Sequence, residues 1–182
     1  MSAAFRAKRI DPELDIVVLE KGEYISYAAC SLPYFIAGRV DDSRKLIART
    51  PEQVDGIARG AYVLEEAEGR RMATLLATGS EVAIALAARK RLQAYGVGTA
   101  VVSMPCFELF EQQDATYRKE VLGSGVRIAI EAGSPFGWTR YVRSEDDVIG
   151  MRGFGASAPA KDLYQHFGIT PERVVEIVRK RL

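Results

Sequence analysis

The chain carries two cysteines and a single histidine, the residue types with the most evident chemistry. Cys30 stands in YISYAACSLPY, a loop that follows an apolar run, where a thiolate has the setting of a redox nucleophile. Cys106 is far from Cys30 in the sequence, no CxxC spacing occurs, and His166 is alone. These spacings argue against a structural disulfide and against a zinc site. We therefore expect no metal site in this chain.

Each cysteine also has a less specialised interpretation. Cys30 either cycles through a mixed disulfide or sulfenic acid, or it is an ordinary thiol, because thiolate activation depends on the surrounding site. The first alternative defines a thiol-redox protein. Cys106 follows Pro105 at the end of a predicted strand, which predicts a small, buried and inert thiol.

The segment ATGSE joins an apolar strand to a helix and is the second candidate site. Gly79 and Ser80 lie at this turn, where helix amides and the helix dipole attract anions. One hypothesis is therefore an anion- or nucleotide-binding module at Gly79 and Ser80. The alternative needs no ligand: Ser80 is the N-cap of the helix, and Glu81 lies in its first turn.

The remaining polar candidates are interpreted as surface groups. Asp146 and Asp147 are adjacent on a predicted strand and would face opposite sides, so we expect both to be solvated. His166 lies near a helix end, where the helix dipole favours an exposed imidazole. Trp138 and Tyr141 are expected to pack below the turn in EAGSPFGW.

From about Gly60 the sequence alternates between strands and helices. MATLLATG, VGTAVVSMP and VRIAIEAG predict buried strands, and DDVIGMRGFG holds a further short one. SEVAIALAARKRLQAYG predicts a helix, as do FELFEQQDATYRKEVL, APAKDLYQHFG and the residues that follow Thr170-Pro171. This alternation predicts an α/β fold, a mostly parallel sheet with helices on both faces. The expected buried stripes are Val82, Ala85, Ala88, Leu92 and Tyr95 in the first helix, and Val174, Ile177, Val178 and Leu182 in the last.

The first segment has a different organisation. SAAFRAKRI predicts a helix and LDIVVLE a buried strand, followed by the cysteine loop and the polar stretch DDSRKLIARTPEQ. No second strand is predicted here to complete a sheet. The expected organisation is an incomplete helix–strand–loop segment over residues 1–53 and a complete domain over residues 54–182.

Composition limits the functional classes. The 25 Lys and Arg residues nearly balance the 24 Asp and Glu residues, so no basic surface for nucleic acid or anionic membrane is expected. No apolar run approaches the roughly 20 residues of a membrane helix. The N-terminus lacks the apolar stretch and cleavage site of a secretory signal. We expect a cytoplasmic, soluble protein.

The stretch DIVVLEKGEYISYAACSLPYF resembles the flavin-dependent pyridine nucleotide–disulfide reductases of the coenzyme A-disulfide reductase and NADH oxidase type. The resemblance implies FAD as the family's cofactor, Glu20 as a relic of the ribose contact, and Cys30 as the thiol that works against the flavin. The Gly-rich turn that cradles the pyrophosphate in such folds does not precede the LDIVVLE strand. The first segment is therefore interpreted as a truncated remnant.

GAYVLEEAEG, LLATGSEVAIALAARKRL, VVSMPCFELFEQQ, EAGSPFGWTRYV and GFGASAPAKDLYQHFGITPERVV are similar, in this order, to the C-terminal domain of transketolases. The resemblance spans about residues 54–182. It implies a parallel-rich α/β domain that packs on the thiamine-binding domains of a homodimer. In that family thiamine diphosphate and Mg²⁺ lie between two other domains, so no catalytic residue is assigned to this chain by the resemblance.

The leading hypothesis is a transketolase-like C-terminal domain, a packing and assembly module that is not catalytic alone. Its expected partners are further copies of itself or the missing transketolase domains, and no cofactor is expected for this chain alone. The alternative is a thiol-redox protein that uses Cys30.

Overall fold

The computed structural model of the chain describes residues 26–27, 47–49 and 51–182. The chain divides into two compact units, Met1–Ala58 and Arg59–Leu182. The boundary expected between residues 53 and 54 stays a prediction. Within the described residues, no helix has both the length and the apolar character needed to cross a membrane.

The first unit contains a short pair of strands that sequence analysis missed. Strand β1, Ser26–Tyr27, pairs antiparallel with β2, Ile47–Arg49, and helix α1 covers Pro51–Ala58. Strands of two and three residues are too short to show a periodic pattern. The expected LDIVVLE strand, Glu20 and Cys30 all lie outside the described residues, so the roles expected for them stay predictions.

The second unit is built on a five-stranded sheet in the order β3-β5-β4-β6-β7. Neighbouring strands from β5 through β4 and β6 to β7 pair in parallel, and β3 pairs antiparallel with β5. The predicted mostly parallel α/β fold is confirmed, although no strand was predicted at the position of β3. The strands are β3 Tyr62–Glu65, β4 Ala73–Ala77, β5 Thr99–Ser103, β6 Val126–Ile130 and β7 Val148–Ile149.

Helices follow these strands where the sequence predicts them. They are α2 Glu81–Ala94, α3 Phe107–Glu111, α4 Ala115–Leu122, α5 Ala160–His166 and α6 Pro171–Arg181. Short 3₁₀ turns cover Trp138–Arg140 and Glu145–Asp147. The start of α6 is confirmed: Thr170 Oγ1 accepts a hydrogen bond from the Arg173 amide at 3.3 Å, and Pro171 occupies the first turn.

Side chains alternate between the two faces of the sheet. Leu75 of β4 and its neighbours on β5 and β6 pack against α2 and α6. Leu76, one residue further along β4, belongs to the opposite cluster, which contains the buried Phe110, Trp138 and Tyr141. Helices therefore cover both faces, as predicted, and Trp138 and Tyr141 pack inward as expected.

Two residues of the predicted buried stripes are exposed. Tyr95 is 65% exposed because α2 ends at Ala94, and its ring lies 5.3 Å from the Arg179 guanidinium carbon instead of in the core. Leu182 is also exposed, since it lies beyond the last helical residue of α6. Both errors come from extending a helical period past the end of its helix.

Candidate functional site

The parallel strands end at one edge of the sheet, the position where open α/β sheets place their functional groups. Residues 78–81 follow β4, residues 104–106 follow β5, residues 131–137 follow β6 and residues 150–155 follow β7. This set is called the carboxyl edge below. It contains the candidates Gly79 and Ser80.

A hydrogen-bonded cluster forms where β4 leads into α2. Ser80 Oγ donates to Glu81 Oε1 at 2.8 Å, and the Tyr164 hydroxyl donates to the same oxygen at 2.6 Å. The Tyr164 hydroxyl also lies 3.0 Å from Ser80 Oγ. The hydrogen bond to Glu81 raises the pKa of Tyr164. A buried carboxylate is thereby satisfied by two hydroxyl groups of the same chain.

Ser80 occupies the N-cap position of α2, as expected, but its side chain makes no capping bond. Its hydroxyl donates a hydrogen bond to the Glu81 carboxylate and accepts none from the helix amides. Gly79 adopts a φ of +56°, which explains the glycine at this turn. The anion site at Gly79 and Ser80 stays a prediction, and an anion there would meet the Glu81 carboxylate, whose Oε2 lies 4.0 Å from the position of a Cβ on Gly79.

Glu131 organises the loop after β6 and was missed by sequence analysis. Its Oε1 accepts from the Gly133 amide at 3.0 Å, and its Oε2 accepts from Trp138 Nε1 at 3.0 Å. The signal for this role was an acidic residue directly after the apolar run VRIAI and shortly before a glycine. The charge of Glu131 also contributes to the raised pKa of Tyr164, after the larger effect of the hydrogen bond to Glu81.

These groups build structure at the carboxyl edge. The described residues include no group of three or more His, Cys, Asp or Glu side chains that could hold a metal ion. Tyr164 keeps its proton at neutral pH, since the ordinary tyrosine pKa is about 10 and the hydrogen bond to Glu81 raises the pKa of Tyr164 further. Glu81 and Glu131 each accept from two fixed donors, an arrangement that stiffens the loops around them.

Two loops of the same edge expose aromatic rings to solvent. Phe136 is 91% exposed and Phe154 is 101% exposed. Residues 133–135 and 151–153 line a common cleft of about 500 Å³. The backbone joins the two loops, since the Met151 amide donates to the Gly133 carbonyl at 2.9 Å.

Cys106 is half-buried, which corrects the prediction that it is buried. Its Sγ lies 3.3 Å from Glu108 Oε2. Burial raises the pKa of the Cys106 thiol, and the neighbouring Glu108 carboxylate raises it further. A raised thiol pKa means little thiolate at neutral pH, so Cys106 is poorly suited to nucleophilic chemistry.

The acidic pair Asp146 and Asp147 is solvated only in part. Asp147 is 4% exposed, and Arg181 Nε donates to its Oδ1 at 2.6 Å. The prediction that both are solvated was wrong for Asp147, because the pair lies on a 3₁₀ turn and not on a strand. Asp146 is exposed and His166 is exposed at the end of α5, as expected.

Known proteins share this domain. Residues 60–170 match the family described as the transketolase-like TK C-terminal domain. A transketolase of Sinorhizobium medicae (strain WSM419) is 57% identical over 131 residues, covering 71% of this chain and 19% of the relative. A transketolase of Rhodobacter capsulatus is 54% identical over 132 residues, covering 69% and 20%. The solved transketolase from Leishmania mexicana gives a TM-score of 0.65 at 42% identity, covering 71% of this chain and 19% of that one.

The matched range, residues 60–170, includes every strand of the second unit and the whole carboxyl edge. The chain spans about a fifth of the length of the curated relatives it matches. The matched residues, the mostly parallel sheet and the sequence identities to transketolases agree with the resemblance to the C-terminal domain of that family. The chain belongs to the transketolase family, whose C-terminal domain forms its second unit.

Proposed function

We propose that the second unit is a packing and assembly domain of a thiamine-diphosphate-dependent enzyme that transfers ketol groups. The observation that supports this most directly is the contrast at the carboxyl edge. The polar side chains Glu81, Glu131 and Tyr164 are bonded to groups of their own domain, whereas two aromatic rings are left in solvent. A domain arranged in this way offers contacts to another protein surface more readily than groups for catalysis.

The described residues offer no cluster of three or more His, Cys, Asp or Glu side chains that could hold the Mg²⁺ ion. Magnesium prefers carboxylate oxygens and water, but the oxygens of Glu131 are taken by Gly133 and Trp138, and Glu81 Oε1 is taken by Ser80 and Tyr164. We assign the cofactor and the ketol-transfer chemistry to the other parts of the enzyme, and no catalytic step to this domain.

Two measurements test the proposal. The purified chain, given thiamine diphosphate and Mg²⁺, is expected to show no ketol transfer, and clear turnover would refute the assignment. A chimera tests the assembly role: residues 59–182 replace the matching domain of the Sinorhizobium medicae enzyme, which is 57% identical. The chimera is expected to assemble and transfer ketol groups, and failure to assemble while the parent enzyme does would contradict the proposal.

For the first segment, we propose descent from a flavin-dependent disulfide reductase, with the boundary near residue 53. The support is the sequence motif around Glu20 and Cys30 alone. Selective alkylation tests whether Cys30 retains thiol reactivity: if it titrates near the ordinary value of about 8.5, the redox alternative fails. Cys106 provides the internal comparison.

A further inference from the structure

We propose that the surface around Phe136 and Phe154 is the face on which this domain docks against the remaining transketolase polypeptide. The proposal rests on the proposed function above and adds the location of the contact. The surface is defined here as the aromatic surface, the loops 133–137 and 151–155.

The exposure of the two rings is the first observation. Phe136 and Phe154 are 91% and 101% exposed, whereas Phe110 and Trp138 of the same domain are buried. The domain therefore has a core that accepts aromatic rings, and these two are not part of it. Aromatic side chains left in water at neighbouring loops are characteristic of protein interaction sites.

The two loops form one continuous surface. The Met151 amide bonds to the Gly133 carbonyl, and both residues line the cleft of about 500 Å³. Met151 also lines a second cavity of about 270 Å³, whose walls include Leu163 and Phe167. Two recesses that share Met151, in the loops that carry the exposed rings, suit the interlocking of side chains from a partner surface.

The rim carries two carboxylates against one guanidinium. Arg152 lies 3.6 Å from Glu145 and 3.8 Å from Asp146, and its Nη2 donates to the Glu145 carbonyl at 2.8 Å. The guanidinium is thus already neutralised within the domain. An apolar protein surface fits this rim better than an anionic ligand does.

The length of the relatives identifies the occupant. The matched domain is the C-terminal part of transketolases, and the chain covers only 19% of the Sinorhizobium medicae enzyme. In that enzyme about four fifths of the polypeptide accompanies the domain. We therefore take that polypeptide, and not a second copy of this chain, as the occupant of the aromatic surface.

Hydroxyl-radical footprinting of the chimera described above measures the contact directly. Phe136 and Phe154 are expected to be oxidised at least about fivefold more slowly in the chimera than in the full chain alone, as befits rings at the centre of an interface. Tyr95, exposed on the helical side of the domain, should react equally in both. Equal reactivity of the phenylalanines in an active chimera would overturn the aromatic surface and leave the proposed function standing.

Concentration dependence separates the two occupants. If protection of Phe136 and Phe154 in the full chain alone rises with its concentration, the occupant is a second copy and the inference is wrong. An unassembled, inactive chimera refutes the proposed function and this inference together.

Substitutions provide a second readout. In the chimera the domain and the polypeptide it contacts are one chain, so the double variant Phe136→Ser/Phe154→Ser is expected to lower ketol transfer about tenfold or more at every enzyme concentration. The matched control Tyr95→Ser should leave the activity unchanged. Full activity of the double variant at every concentration would contradict the proposal.

Discussion

The two edges of the parallel sheet differ in how the segments beside the strand ends pack. At the amino edge, where β4, β5 and β6 begin, backbone segments touch: the Met72 amide donates to the Gly98 carbonyl at 2.7 Å, and the Val126 amide donates to the Met72 carbonyl at 2.9 Å. At the carboxyl edge, loops enclose clefts and expose rings. Backbone hydrogen bonds tie both edges, and the carboxyl edge in addition encloses a cleft and exposes Phe136 and Phe154.

Side chains reinforce this difference. Arg71, just before β4, donates to the carbonyls of Glu120 and Val121 at 3.1 and 2.5 Å and to Thr74 Oγ1 at 3.0 Å. The Arg71 side chain is 16% exposed, and this burial lowers its pKa. The carboxyl edge has the exposed Arg152 instead. The amino edge therefore carries stability, and the carboxyl edge is available for function.

A glycine substitution at the amino edge is expected to lower the free energy of unfolding most. A Cβ on Gly98 would lie 2.0 Å from the Arg70 carbonyl oxygen. Gly98→Ala must push two strand entries apart, and we expect it to lower the free energy of unfolding by about 3 kcal/mol. The matched control is Gly153→Ala at the carboxyl edge, where a Cβ meets nothing within 4 Å. Urea unfolding measures both, and equal effects at the two glycines would remove the distinction.

Arginine substitutions come next. Arg71→Met leaves two helix-end carbonyls and the Thr74 hydroxyl without their donor, and we expect a loss of about 2 kcal/mol in the free energy of unfolding. Arg152→Met removes exposed ion pairs at 3.6 and 3.8 Å and one exposed hydrogen bond to the Glu145 carbonyl, and it is expected to cost at most about 0.5 kcal/mol. Comparable losses in urea titrations would show that the carboxyl edge is as structural as the amino edge.

Tyr164→Phe tests the hydrogen-bonded cluster of the carboxyl edge. Loss of the bond to Glu81 is expected to cost about 1 kcal/mol at neutral pH. The pKa of Tyr164 is raised in the folded state, so its contribution is complete below the ordinary tyrosine value of about 10 and is lost as pH rises through the folded pKa. The stability gap between wild type and variant should therefore narrow in alkali. A gap independent of pH would contradict this account.

The smallest effect concerns Cys106. Its thiol is expected to alkylate more slowly at neutral pH than a free thiol, because burial and Glu108 raise its pKa. Glu108→Gln removes the effect of the carboxylate on the Cys106 pKa but leaves the larger effect of burial. We therefore expect alkylation of Cys106 to be about twofold faster in this variant. Mass spectrometry of timed alkylation gives both rates. A Cys106 that reacts as fast as glutathione would show that the strand end is more open than the structure indicates.

The fold was predictable because local signals and periodicity agree over most of the second unit. Apolar runs set β4, β5 and β6, and Thr170-Pro171 marks the start of α6 as the structure has it. Strand β3 was missed since YVLE is short and lies at the antiparallel side of the sheet.

The candidate site was less predictable because its contacts join distant residues. The residues around Asp147 do not predict its hydrogen bond to Arg181, and those around Glu81 do not predict its hydrogen bond to Tyr164. These bonds allow the two carboxylates to be buried. Ser80 illustrates the same limit: its position was predicted, but the partner of its hydroxyl was not. The exposure of Phe136 and Phe154 is likewise a property of the folded loops, since phenylalanine in a sequence is more often a core residue.

The sheet order has a consequence for synthesis. β4 lies between β5 and β6, although it precedes both in the chain, and every residue of Ala73–Ala77 is buried. On the ribosome this apolar segment has no strand beside it until β5, Thr99–Ser103, has emerged, and its other side stays unpaired until β6 is complete at Ile130. Slower elongation between Ala77 and Ile130 would prolong the exposure of β4. More chains would then aggregate, although the free energy of unfolding of the folded protein is unchanged.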